Sequence, residues 1–184
     1  MRKWFWVMML LVSGWSSAAE NNVTLPSITS CNTNVIPDSI SNLMKSSFVG
    51  WRIKNERDFD DFHRAAWIKA KPGLCPGIAK GHFINSLTND YALLLVSSDQ
   101  KKQSYKVVVF SPKGEKINSY IVESGRNFME RVAVSAISPG AYFGVENSPT
   151  VELKTDGIMV EELEVGSMIY YWSNGSFKNI ITSE

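Results

Sequence analysis

Cysteine and histidine are scarce, with two of each in 184 residues. A metal site needs ligands at set spacings, and no HxxxH, HExxH or CxxC pattern occurs. His63 falls among acids in a helical stretch and His82 beside Phe83 in a strand-like one. Both read as structural or solvated side chains, so no metal and no other cofactor is expected. The glycine-rich phosphate loops and the GxSxG nucleophile elbow are also missing. Ser98-Asp99-Gln100-Lys101 fits SxxK, the nucleophile box of penicillin-binding enzymes. That box must open a helix so that the lysine turns back toward the serine. Here it lies in a polar stretch between strands, and Lys154-Thr155-Asp156 does not complete a KTG element. Charge of one sign is lacking too, with 19 basic against 18 acidic side chains. Neither nucleic acid nor an anionic membrane is therefore expected as a partner. A membrane-spanning helix needs about 20 consecutive apolar residues, and the apolar run at residues 4–12 is too short for that.

That short run is informative. Arg2 and Lys3 precede it, and Ser17-Ala18-Ala19 places small residues where a signal peptidase reads. This is the three-part pattern of a secretory signal, with cleavage expected after Ala19. Removing Arg2 and Lys3 leaves 17 basic and 18 acidic side chains. Ile28-Thr29-Ser30-Cys31 loosely matches a lipobox, but Glu20, Asn21, Asn22 and Pro26 separate it from the apolar run. No membrane anchor is then expected, and the periplasm, or secretion, is the expected destination. In an oxidising compartment an even cysteine count favours a disulfide, here Cys31–Cys75. Closing a loop of that length contributes at most roughly 4 kcal/mol in the chain-entropy model.

Residues 20–184 are expected to form one α+β domain, with 20–36 as an extended arm. Asp38 is positioned to cap a helix carrying Ile40, Leu43, Met44 and Phe48 on one stripe, ended by Gly50. A second helix is expected over 58–69, with Phe59, Phe62 and Ala66 sharing a face. After Cys75 the period changes from helical to two-residue alternation. Strands are expected at 78–83, 91–97, 105–110, 117–122, 132–137, 151–153, 158–163, 168–172 and 177–182. Ser111-Pro112-Lys113-Gly114 and Asn174-Gly175 mark hairpin turns. The expected fold is two N-terminal helices packed on a mainly antiparallel sheet of about seven to nine strands.

Residues 75–83 followed by Asn89-Asp90-Tyr91-Ala92-Leu93-Leu94-Leu95 resemble a single FG-GAP or VCBS-type propeller motif, and the wider pattern of helix, Gly50-Trp51, Cys-Pro-Gly turn, strands and Tyr-Tyr-Trp ending resembles small bacterial secreted proteins. In the propeller families a strand leads into spaced carboxylates that hold calcium. Gly81, Phe83, Asp90, Tyr91 and Ala92 match the pattern, whereas His82, Ile84 and Ser86 replace carboxylates and Leu87 replaces the turn glycine. Calcium takes about 6–8 oxygen ligands, so the resemblance implies a loop that has lost its metal. The ending Tyr170-Tyr171-Trp172-Ser173-Asn174-Gly175 is similar to the Trp- and Gly-rich signature of periplasmic lysozyme inhibitors, without their extra cysteines.

The carboxylates at Asp58, Asp60, Asp61, Glu161, Glu162 and Glu164 read as solvated faces, and no catalytic residue is assigned. An exported domain with an adequate core and no catalytic motif is expected to be a non-catalytic binder. The expectation is an inhibitor or immunity protein that blocks a toxin effector or a cell-wall hydrolase. The alternative is an envelope hydrolase with an unfamiliar site. Binding surfaces rest on exposed aromatics and on loops, and Tyr142 and Phe143, after Pro139-Gly140, are the suggested contact pair.

Overall fold

The structure is a computed structural model that describes residues 31–99, 101–127, 130–145 and 149–183. The signal expected at residues 1–19 and the first part of the arm, 20–30, lie outside the described residues.

Helix α1 (Asp38–Ser47) begins one position earlier than its expected cap: Pro37 occupies the N-cap and Asp38 joins the first turn, where an acid suits the helix dipole. Gly50, at φ +80°, follows the helix, a conformation that costs glycine little. Helix α2 (Asp61–Ala70) is shifted from expectation. Its N-cap is Asp60, whose side chain accepts from the His63 amide. Asp58 is already engaged, taking two hydrogen bonds from the Arg52 guanidinium and one from the Asn55 amide. Residues 56–58 therefore form a separate 3-10 turn, and Phe59 precedes the helix. The expected Phe59–Phe62–Ala66 face does not form. His63 and Trp67 are the buried positions of α2, and Phe62 is 60% exposed.

The strands are β1 (Trp51–Ile53), β2 (Ile78–Gly81), β3 (Asp90–Ser97), β4 (Ser104–Lys113), β5 (Lys116–Arg126), β6 (Val132–Ile137), β7 (Gly140–Tyr142), β8 (Val151–Leu153), β9 (Gly157–Glu162), β10 (Gly166–Ser173) and β11 (Ser176–Ser183). Every pairing is antiparallel. The expectation of one sheet with seven to nine strands is corrected: the strands divide into sheets of five, four and two. In the first sheet β1 and β2 lie end to end along one edge of β3, followed by β4 and β5; the second runs β11-β10-β9-β6; β7 and β8 form a ribbon.

Burial explains the division. Alternating side chains give each strand two faces, and here most strands have apolar residues on both. Ala92, Leu94, Val107 and Val109 of the first sheet meet Val134, Ile158, Val160 and Tyr170 of the second. The outer face of the first sheet, with Leu93, Leu95, Val108 and Phe110, is covered by Ile40 and the rest of the α1 stripe. The outer face of the second, with Ile169 and Ile180, is covered by Leu153, Tyr142 and Val151 of the ribbon. A single flat sheet would expose one of these faces. Strand β3 is buried along its whole length, which accounts for its unbroken apolar run. Pro112 is tolerated inside β4 because the β3 pairing stops at Phe110.

The two sheets join at a seam around Lys54 and the Cys75-Pro76-Gly77 turn. Cys31 and Cys75 form a disulfide. The Pro76 carbonyl accepts from Val134 of β6, and the Gly77 carbonyl from Leu94 of β3. A Cβ on Gly77 would stand 2.1 Å from the Lys54 carbonyl oxygen, so no larger residue fits. Lys54 is fully buried. Its ammonium donates to the Val132 carbonyl at 2.6 Å and lies 3.9 Å from the centre of the Phe59 ring. Burial lowers its pKa to about 7, against the opposing attraction of Asp58 and Glu130.

Two outcomes follow from this seam. Thiol labelling of unfolded, unreduced protein is expected to find no free thiol, and replacing both cysteines by serine to lower stability by up to roughly 4 kcal/mol. Two labelled thiols in exported protein would contradict the pairing. For Lys54, both folded and unfolded chains are protonated below pH 7, and the burial penalty is felt in full. Between pH 7 and the unfolded pKa near 10.5 the unfolded chain binds the extra proton, so stability rises with pH. Urea unfolding at pH 7 and pH 9 is expected to show a gain of about 2 kcal/mol, and Lys54→Met to remove that gain.

Candidate binding site between the two sheets

The space between the sheets is closed at one end and open at the other. At the closed end Tyr120 of β5 meets Trp172 and Phe177 of the β10–β11 hairpin, with ring centroids 5.3 and 5.9 Å away. The hairpin turn itself is Asn174-Gly175, both with positive φ, as its sequence requires. Toward the other end the sheets part, leaving a slot of about 300 Å³. Val132, Val160, Val165, Met168 and Ile181 supply its apolar lining, and Tyr105, Glu123 and Glu162 its main polar groups.

Two local features aim Glu123 into this space. The β4–β5 ladder pairs Val107 with Glu123 and Val108 with Ile121, so Val122 is an extra residue. Such a bulge breaks the strict in–out alternation and redirects a side chain. Val122 packs on the inter-sheet core, and Glu123 accepts a hydrogen bond from the Tyr105 hydroxyl at 2.6 Å. The second feature is Gly125, which faces Tyr105 across the ladder. A Cβ there would lie 2.5 Å from the Tyr105 ring. Glycine thus makes room for that ring to lie over β5 and place its hydroxyl on Glu123.

The electrostatics follow from burial. Desolvation first, and then the hydrogen bond to Glu123, push the Tyr105 phenol far above its ordinary pKa. Desolvation and the nearby Glu123 charge do the same to Tyr170, whose hydroxyl contacts Met168 Sδ at 3.7 Å. Both phenols therefore stay protonated as donors. Tyr105 uses its proton on Glu123 Oε1. Glu123 Oε2 is shielded from solvent, and the Tyr170 hydroxyl is close enough to hydrogen-bond to the same carboxylate, a further cause of the raised Tyr170 pKa.

The residues singled out in the sequence lie elsewhere, with one exception. Glu162, read as part of a solvated face, lines the apolar slot, because it ends β9 opposite Val132. Tyr142 is half-buried on the outer cluster and donates its hydroxyl to the Ser138 carbonyl at 2.7 Å, whereas Phe143 is 73% exposed. The structure does not bring this pair into the slot. Val145, two residues after Phe143, does donate its amide to Ile181 at the slot rim, at 2.9 Å. His63 Nδ1 lies 2.7 Å from Asp60 Oδ2, and its Nε2 lies 4.0 Å from Glu164. His82 Nδ1 meets the Thr88 carbonyl. Ser98 and Lys101 sit in the β3–β4 connection rather than on a helix. Tyr105, Glu123 and Gly125 drew no attention in the sequence. The one local sign was a glycine inside a strand pattern, which marks a bulge or a close approach.

The propeller-like loop at residues 82–89 is held by side chains that accept from its amides, one from within the loop and two from outside it. Asn85 Oδ1 accepts from the Leu87 and Thr88 amides, Asp90 Oδ2 from the Ile84 amide, and Asp156 Oδ2 from the His82 amide. Asp90 is fully buried. Calorimetric titration is expected to find no calcium site here at millimolar metal. Asp90→Ala is expected to destabilise by about 1–3 kcal/mol by orphaning the Ile84 amide. A saturable calcium site lost in that variant would show the loop to be a metal site after all.

Among family models, curated proteins and solved structures, none matches this chain.

Proposed function

We propose that this domain is a non-catalytic periplasmic binding protein, an inhibitor or immunity protein that blocks a toxin effector or a cell-wall hydrolase. The observation that carries the reading is the open end of the inter-sheet slot, an apolar recess of about 300 Å³ between the two sheets. The surroundings suit a protein partner. Val165 and Ile181 are exposed apolar side chains on the slot, and Phe143, two residues before the Val145 that bonds Ile181, is exposed as well. Contacts of this kind, anchored in a pocket and ringed by a rim, are how a stable interface of at least about 1,200 Å² concentrates its energy. The Cys31–Cys75 disulfide supports an oxidising compartment.

The alternative, an envelope hydrolase, draws on the Asp60–His63 pair. A histidine oriented by a carboxylate is half of a nucleophile-activating arrangement. Neither Asp60 nor His63 is among the described residues that line the slot, and binding is the reading that uses the slot.

The test is periplasmic co-expression with toxins encoded beside the gene, scored by survival with and without the signal segment. The mature domain is expected to protect, and Phe143→Ser to weaken protection at least tenfold in inhibitor dose. Turnover of peptidoglycan, lipid or protein by the purified domain alone would overturn the reading, as would failure to protect against any neighbouring toxin or envelope hydrolase.

A further inference from the structure

Strand β5 is an edge of the first sheet. At 11 residues it is the longest strand, and among the described residues it pairs with β4 alone. Sheet edges are ordinarily blunted by charge, proline, a bulge or a covering element. The run Ile117-Asn118-Ser119-Tyr120-Ile121-Val122 contains no charge and no proline, and Ile121 is 55% exposed. An uncharged edge run rich in β-branched and aromatic residues invites another strand. The bulge at Val122 stands at the far end of the run and leaves the rest open.

The β4–β5 turn settles which backbone groups face outward. Lys113 and Lys116 flank the two-residue turn Gly114-Glu115, so they form a hydrogen-bonded pair, and pair types alternate from there. Lys116, Asn118 and Tyr120 therefore direct their amides and carbonyls at β4. Those of Ile117, Ser119 and Ile121 point away from it, and none of them bonds another described backbone segment. The outward groups are thus spaced evenly about Ser119.

We propose that β5 is a dimerisation edge, to which a second copy of this chain adds its own β5, antiparallel, about a two-fold axis at Ser119. Ser119 then pairs with Ser119 of the second copy and Ile117 with its Ile121, all through outward groups. Opposed residues share a face of the sheet. Ile117 packs in the cluster beneath α1, and Ile121 stands opposite Val108 of that cluster, so the isoleucine pair carries one apolar face across the axis. Charge does not oppose the register. Lys116 meets Val122 rather than another Lys116 or Arg126, and residues 20–184 carry 17 basic against 18 acidic side chains. The same strand supplies both partners for every outward group, and a two-fold pairing uses up both edges, so assembly closes at a dimer. The proposal goes beyond the binding reading above, which uses the slot, and stands or falls without it.

The experiment is sedimentation of the full mature domain over a concentration series reaching the millimolar range, with amide hydrogen exchange at its two ends. A reversible monomer–dimer equilibrium is expected. At high concentration the amides of Ile117, Ser119 and Ile121 are expected to exchange at least tenfold more slowly than in dilute protein, while those of Asn118 and Tyr120 are protected in both. Ile121→Lys, at an exposed position, is expected to weaken the dimer at least tenfold. Ser119→Pro is expected to do the same and still fold, because β4 does not use the N–H it removes. Leu87→Lys, at an exposed apolar position elsewhere, is expected to leave the dimer unchanged, which separates edge pairing from general apolar association. A chain that stays monomeric throughout overturns the proposal and leaves the edge to a strand of another protein. A dimer that folded Ile121→Lys leaves intact overturns it too, as does one whose outward amides exchange as fast as in the monomer.

Discussion

The seam at Lys54 is the constraint on which the rest of the architecture depends. A fully buried ammonium is costly unless it is hydrogen-bonded, and Lys54 meets that demand by reaching across to the Val132 carbonyl. The bond ties the segment after β1 to the first residue of β6, so it fixes where the second sheet begins relative to the first. The adjoining turn adds backbone bonds to both sheets from consecutive residues, Pro76 to β6 and Gly77 to β3. Gly77 must be glycine because the Lys54 carbonyl occupies the place of its side chain. The disulfide joins the same turn to Cys31, where the described chain enters. Lysine, turn and disulfide thus act on one point, and the sheets are free to diverge away from it.

Much of the fold could be read locally, because its signals are local. The α1 stripe of Ile40, Leu43, Met44 and Phe48 does cover a sheet face, and the Asn174-Gly175 hairpin forms where its turn chemistry places it. The readings that failed were those decided by distant partners. Helix α2 starts late because Arg52 and Asn55 claim Asp58, which no helical periodicity reveals. The short strand β7 shows no alternation of its own because what orders it is its pairing with β8 and the packing of Tyr142 on Ile169 and Ile180 of another sheet. The division into two face-to-face sheets was likewise out of reach. Alternation along a strand says that one face is apolar, but not which other strand will cover it.

The candidate site was harder to read than the fold, and for a definite reason. Glu123 sits in a strand whose exposed positions are mostly polar, so an acid there looks like any solvated side chain. Only the extra residue in the β4–β5 register turns it inward. A bulge is a property of two strands taken together, and the single strand shows at most the glycine at 125 as its sign. Glu162 was misjudged by the same logic, since its neighbour Glu161 faces away from the slot toward Lys71, and three nearby acids read as one polar patch. Motif-bearing stretches, by contrast, drew attention and proved to be scaffold: the propeller-like loop closes on its own amides.

The same bulges account for the slot being open at that end. The β10–β11 ladder also shifts register, between Ser167 and Met168, next to the slot rather than at the aromatic end. A bulge increases local twist and bends its strand. Two bulges, one in each sheet and both near the slot, splay the sheets apart there, whereas the regular ladders at the other end let Tyr120, Trp172 and Phe177 interlock. Filling the gap with one more large apolar residue would have completed the core. Glycine at 125 instead leaves room for the Tyr105 ring, whose hydroxyl meets Glu123 at the slot wall. The inter-sheet space is thus sealed by aromatics at one end and open at the other, where both ladders are irregular, so its closure and its opening come from different stretches of the same two sheets.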